Sequence, residues 1–357
     1  MLCSFAVENF RCLSDTKLND LKRVNLITGI NNVGKTSLLE SLFIFSGTYN
    51  PELLLRVNKF RGYSGFDINF DSSASPPWES LFREFNTNRM IRVCGLFKNN
   101  GERIITISHS LENVATPVKM VPVKHEEGTY ASSSMPILSA TMTVKEIGEK
   151  KQVFRIVFDP NGMRIEPTPP PPPFPGVFIA ASSRFDFKEE ARRFSSLVNK
   201  KQEGIVIEAL RRIDSRVKDV SLTYMAGEPV LNADIGISHL IPLPDMGEGI
   251  TRLLRVVLAI SSSPEGIVMI DEIENGFHYS CLGDLWEVID EVSRNTNTQV
   301  FITTHSLECI KSAHEVFGKG DYDFALFRLD RIKEEIEIMR YDKETLTSSL
   351  EFGMDVR

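Results

Sequence analysis

The run Gly29-Ile30-Asn31-Asn32-Val33-Gly34-Lys35-Thr36 has the spacing G-x-x-x-x-G-K-[ST], in which each residue type has a task on a chain of phosphates. The glycines let the backbone turn tightly, so that successive N–H groups around Asn31, Asn32 and Val33 wrap the anion. Lys35 brings a cation to the outer phosphates, and the Thr36 hydroxyl is a hard oxygen ligand for Mg²⁺. Ser37 falls in the first turn of a helix whose positive end faces the same anion. Gly29, Asn31, Asn32, Val33, Gly34, Lys35, Thr36 and Ser37 are therefore the expected nucleotide contacts. The expected cofactors are ATP and Mg²⁺.

A second apolar run, Gly266-Ile267-Val268-Met269-Ile270, ends in Asp271-Glu272. A buried strand ending in carboxylates delivers them to the C-terminal edge of an α/β sheet, where ligands bind. Asp271 is placed to hold the metal, and Glu272 to take a proton from an attacking water. Acid pairs after strands also serve as helix caps; the phosphate loop elsewhere in the chain favours the catalytic reading. Val300-Phe301-Ile302 leads in the same way into Thr303-Thr304-His305-Ser306, which would bring His305 to the outer phosphate. The alternative for His305 is a structural place beside a helix start. The expected catalytic set is thus Lys35, Glu272 and His305, with Thr36 and Asp271 on the metal. Finally, Asp245-Met246-Gly247-Glu248-Gly249 precedes the helical run Leu253 to Ile260, and Gly247 and Gly249 leave amides free for an anion.

The elements needed to position these groups are legible around them. Arg23 to Thr28 is a short, β-branched strand that enters the loop, and Lys35 to Phe45 has helical apolar spacing. Between residues 91 and 166 the pattern changes to hairpins, with turn signals at Asn99-Asn100-Gly101 and Asp159-Pro160-Asn161-Gly162. The run Pro169 to Pro173 then forces an extended spacer. From Val177 onward strands and helices alternate, which implies a mostly parallel sheet covered by helices. The expected fold is α/β, a P-loop ATPase head with an inserted antiparallel β region. Residues 1–90 would form its N-terminal part, 91–175 the insert and proline linker, and 176–357 the C-terminal part.

Composition limits the remaining classes. With 42% hydrophobic and 25% charged residues, the 357-residue chain has ordinary globular makeup. Its 41 basic and 48 acidic side chains give a net charge of −7, unlike a dedicated nucleic-acid coat. Five cysteines, at 3, 12, 94, 281 and 309, have neither disulfide-framework nor zinc spacing, which fits a reducing, cytoplasmic setting. Nothing approaches ~18 consecutive apolar residues, and Met1 to Phe5 does not begin a signal peptide, so no membrane partner is expected.

Most of the chain lies between Lys35 and Asp271, whereas small GTPases keep their phosphate elements close, and no Asn-Lys-x-Asp run is present. The order of phosphate loop, insert, glycine signature, Asp-Glu strand and His strand resembles that of ABC-type ATPases of the SMC, RecF and OLD group. Glu8-Asn9-Phe10-Arg11, Asn25 to Glu40 and Met269 to His278 look like the opening and second phosphate element of OLD-like ATPases. The resemblance covers about residues 1–50 and 175–330, and Met246-Gly247-Glu248-Gly249 departs from the Leu-Ser-Gly-Gly signature of transporters in lacking the serine. It implies a head-to-head sandwich in which Gly247 and Gly249 face the nucleotide of a second copy, hence a homodimer or larger homo-oligomer.

Three functional classes follow. The chain could be the ATPase sensor or scaffold of a bacterial anti-phage defence system, with the nuclease or toxin on a separate polypeptide. It could be a RecF-like ATPase that binds DNA through Arg184, Lys188, Arg192, Arg193, Lys200, Lys201, Arg211 and Arg212. Those charges are interleaved with Glu189, Glu190 and Glu203, as on a solvated helix face. Or it could be a nucleotide-gated interaction module with negligible turnover.

Overall fold

The computed structural model describes residues 1–63, 75–98, 101–114, 135–159, 162–182 and 185–357. The turn residues Asn99-Asn100 and Pro160-Asn161, and Arg184, lie outside them. The chain opens with β1 (Leu2–Phe10) and β2 (Leu13–Leu18), an antiparallel pair closed at Arg11–Cys12. The register of β1 on its other neighbour shifts between Leu2 and Ser4. That irregularity lets Leu2 and Phe5 both face inward, although they stand an odd number of positions apart. β3 (Val24–Gly29), buried at every position, runs into the phosphate loop and α1 (Lys35–Ser46), followed by α2 (Leu53–Lys59).

β4 (Ile91–Phe97), β5 (Gly101–Val114), β6 (Met135–Glu146), β7 (Gln152–Asp159) and β8 (Gly162–Glu166) follow in meander order. β4 pairs with β1, so the sheet has seven strands in the order β2-β1-β4-β5-β6-β7-β8, all antiparallel. The prolines lead into β9 (Gly176–Ile179). Next come α3 (Phe187–Asn199), α4 (Gly204–Ile213), and a small sheet of β10 (Asp219–Met225), β11 (Glu228–Asp234) and β12 (Ile241–Pro242). α5 (Glu248–Ser261), β13 (Ile267–Ile270), α6 (Leu282–Thr296), β14 (Gln299–Thr303) and α7 (Leu307–Gly318) alternate as expected. β15 (Phe324–Ile332), β16 (Glu335–Tyr341) and α8 (Lys343–Glu351) close the chain.

The sheet that carries the loop has the order β16-β15-β3-β14-β13-β9, and every pair in it is parallel except β15–β16. Both its faces are buried. Val268, Ile270, Val300 and Ile302 pack under helices α3 to α8, whereas Ile267, Met269 and Phe301 face α1 and the antiparallel sheet. This period of two is what a sheet covered on both sides requires.

The expected antiparallel insert is corrected in its extent: it forms the largest sheet and takes in β1 and β2, outside residues 91–175. Short turns such as Arg11–Cys12 can join only antiparallel neighbours. Parallel pairing is confined to strands separated by longer connections.

Candidate active site

The loop owes its shape to its glycines. Gly29 sits at φ 140° and Gly34 at φ 109°. A Cβ on Gly29 would lie 2.5 Å from the Leu329 carbonyl oxygen, and one on Gly34 2.9 Å from Cys12 Sγ. Asn32 takes the left-handed φ of 62°, which asparagine tolerates better than most residues. The Val33 side chain is buried in the core, so only its backbone is available to an anion. α1 begins at Lys35 without a side-chain cap or an acidic residue in its first turn, which leaves its N–H donors and positive end for an anion.

Lys35 Nζ donates to Gly29 O at 2.6 Å and Ile30 O at 3.0 Å. Burial lowers its pKa from the usual lysine value, and Asp271, Glu272 and Glu274 oppose that shift. Thr36 and Asp271, 235 positions apart, meet at 3.0 Å, with Thr36 Oγ1 donating to the carboxylate. Thr303 Oγ1 donates to the same carboxylate at 2.6 Å. Burial pushes the Asp271 pKa above the ordinary carboxylate range, against the pull of the two hydroxyl hydrogen bonds.

Glu272 follows directly, at φ 49°. Its N–H donates to Thr303 Oγ1 at 2.8 Å, and Asn275 Nδ2 donates to its Oε2 at 2.8 Å. The buried Arg252 of α5 donates to the carbonyls of Asp271 at 2.7 Å and Glu272 at 2.8 Å. A non-glycine residue in this conformation is held by its surroundings, and these bonds are what hold it. Asn31, Asn32, Gly34 to Ser37, Asp271 and Glu272 line one cavity of about 430 Å³, together with Cys12 and Arg61.

Other expected residues lie apart from that cavity. His305 does follow β14, but its Nδ1 lies 3.0 Å from Glu274 Oε1 and its N–H donates to the same oxygen at 2.8 Å. Gly247, at φ 109°, has open space where a Cβ would stand. Gly249 packs on the loop after Glu272, where a Cβ would come 3.0 Å from the Gly276 carbonyl. Arg61 and Thr303 were not singled out by sequence reasoning. Thr303 ends an apolar strand, and its position beside Asp271 depends on β13–β14 pairing; no spacing signal marks Arg61.

Of the expected DNA-binding arginines, three are engaged with carboxylates, and Arg211 donates to the backbone carbonyls of Val217 and Lys218, both at 2.9 Å. Arg192 and Arg193 pair with Glu189 at 2.8 and 3.0 Å, and Arg212 pairs with Glu287 and Glu291 at 3.0 and 2.6 Å. Among the described residues, no group of three or more His, Cys, Asp or Glu side chains could hold a metal ion. Mg²⁺ suits a sparser donor set, since it commonly takes one or two carboxylates and fills its sphere with phosphate and water. Asp271 and Thr36 are such donors. No helix among the described residues is long and apolar enough to cross a membrane.

The chain is similar to several known proteins. An ATP/GTP phosphatase of Helicobacter pylori is 25% identical over 350 residues, covering 90% of each chain. An uncharacterized protein of Methanocaldococcus jannaschii is 35% identical over 112 residues, 31% of this chain and 90% of that one. Among solved structures, an Smc head bound to the C-winged helix domain of ScpA aligns over 97% of this chain and 99% of that one, at 11% identity and a TM-score of 0.49. The SMC head domain from Thermotoga maritima aligns over 96% and 99% at 12% identity and a TM-score of 0.40. The family described as "AAA domain, putative AbiEii toxin, Type IV TA system" matches residues 24–310, from the strand before the phosphate loop to the helix after His305. The chain belongs to that AAA-domain family and is an ATPase.

Proposed function

We propose that the chain is a Mg²⁺-dependent ATPase of the OLD-like kind, the cytoplasmic sensor or scaffold of a bacterial anti-phage defence system whose effector is a separate protein. The observation that carries the nucleotide chemistry is the meeting of Thr36 with Asp271, with Glu272 beside them on the cavity of the 29–36 loop. The backbone of Asn31 to Gly34 binds the phosphates, and Lys35 exchanges its loop carbonyls for outer phosphate oxygens. Thr36 and Asp271 would hold Mg²⁺, which supplies the positive charge that neutralises those oxygens. Glu272 takes the proton of the water that attacks the γ-phosphorus, as the bond to the leaving ADP oxygen breaks. His305, turned toward Glu274, stands outside this group and would reach the outer phosphate after exchanging that partner.

Gly247 and Gly249 complete the site in trans. The open space at Gly247 and the lack of a side-chain cap on α5 leave backbone donors for a second copy's nucleotide, with Glu248 in the same turn opposing the anion. The carboxylate partners of Arg192, Arg193 and Arg212 favour a protein effector over DNA, because a paired guanidinium contributes little free charge toward phosphates. In solution, the Glu272→Gln form in Mg-ATP is expected to have at least twice the 40.3 kDa mass of one chain, and to return to a smaller species in ADP. Light scattering on a size-exclusion column measures this. A mass of one chain in both nucleotides would remove the trans site.

A further inference from the structure

A second cavity, of about 370 Å³, adjoins the phosphate cavity; Cys12, Ser37 and Arg61 border both. This volume is within the ordinary range of small-molecule sites. Its position fixes which end of a nucleotide could enter it. Thr36, Asp271 and Glu272 mark the outer-phosphate end. Ser37 is turned by about 100° around α1 from Thr36, and its hydroxyl accepts from Arg61 at 3.2 Å. A nucleoside leaving the inner phosphate past Ser37 therefore enters the second cavity.

Two aromatic residues line that cavity, Phe82 and Phe85. A single exposed aromatic is ordinary on a protein surface, but the backbone beneath Phe85 is not. Glu84 and Phe85 are consecutive non-glycine residues in the left-handed region, at φ 55° and 57°, and Phe85 is 64% exposed. Its neighbour Phe82 is fully buried, and a bridge between Phe82 and Phe10 fixes the turn to the end of β1. The strained pair thus lifts one ring off the core and holds it at the cavity wall. The nearby guanidinium groups have backbone partners: Arg83 donates to Glu334 O and Arg331 to Asn32 O, both at 3.0 Å.

We propose that the base of the bound nucleotide lies in this second cavity, stacked on Phe85. The inference rests on the reading that the 29–36 loop holds the phosphates. Stacking accepts any base face, so ATP and GTP are both substrates by this contact. The test is equilibrium binding of ATP, GTP and inorganic tripolyphosphate to the wild-type chain, Phe85→Ala and Phe85→Trp. Phe85→Ala is expected to bind ATP and GTP about tenfold more weakly, with tripolyphosphate binding unchanged and Phe85→Trp close to wild type. Unchanged ATP affinity in Phe85→Ala overturns the stacking site. So does an equal loss for ATP and tripolyphosphate, which would signal damage to the loop instead. Wild-type chain that binds ATP but shows no binding of tripolyphosphate, or tripolyphosphate binding indifferent to Lys35→Ala, overturns the underlying phosphate site and the inference with it.

Discussion

Glu272→Gln is expected to keep ATP bound and to lower its turnover by a factor of about 10²–10⁴, the usual contribution of a placed general base. The substitution preserves everything about the site except the proton acceptor. The backbone at Glu272 is fixed by Thr303 and by Arg252, and the side chain by Asn275. Glutamine can accept the Asn275 hydrogen bond, and it leaves Thr36, Asp271 and the loop untouched. It cannot take a proton from water. Phosphate release and ATP affinity, measured on the same preparation, should therefore separate. Equal, near-zero release by wild type and variant would instead make the chain a nucleotide-gated module without turnover.

The largest expected loss of stability is at Glu40. Its side chain is fully buried in α1 and forms ion pairs with Arg11 Nε at 2.6 Å and Arg61 Nε at 2.7 Å. Burial lowers the Arg11 pKa, and Glu40 is the chief opposing influence. Removing one member of a buried pair leaves a charge without compensation, at a cost of about 3–5 kcal/mol. Glu40→Ala should therefore lower the urea midpoint by that equivalent, and Glu40→Gln by less, since the amide oxygen still accepts a hydrogen bond. Because Arg61 borders both cavities, ATP affinity should fall as well. A loss below about 1 kcal/mol for Glu40→Ala would mean that solvent reaches Arg11 and Arg61 well enough to stabilise them alone.

Local patterns carried the part of this site that was legible in the sequence. The strand–glycine–helix unit at 24–46 and the apolar strand before Asp271 are each encoded in one continuous short stretch, where periodicity and turn chemistry act. The pairing of β1 with β4 is not local: Val7 meets Val93, and only the joint burial of their faces selects that register. The same holds for Thr303, whose value comes from standing next to Asp271 in the neighbouring strand. His305 illustrates a different limit. Its place after β14 was readable, but its partner was a choice among nearby carboxylates that side-chain packing decides. The left-handed turn at Glu84 and Phe85 had no signal, since neither residue type favours that conformation. The place of β1 and β2 in the antiparallel sheet is not legible for a related reason. Alternating strands and helices after Val177 announced parallel pairing, whereas β1 and β2 gave no local sign that they extend the antiparallel sheet.

We propose that ATP is held by Lys35 and its loop and is consumed there. This is tested most directly by measuring Mg-ATP affinity and phosphate release for wild type and Lys35→Ala side by side. Lys35 Nζ already has two carbonyl partners inside the loop, and phosphate oxygens should replace them with stronger, charge-assisted bonds. Wild type should bind and release phosphate, and Lys35→Ala should lose roughly hundredfold in affinity, the equivalent of one or two such bonds, with release at background. Wild-type affinity and turnover in Lys35→Ala would contradict this and place the hydrolysis elsewhere in the chain.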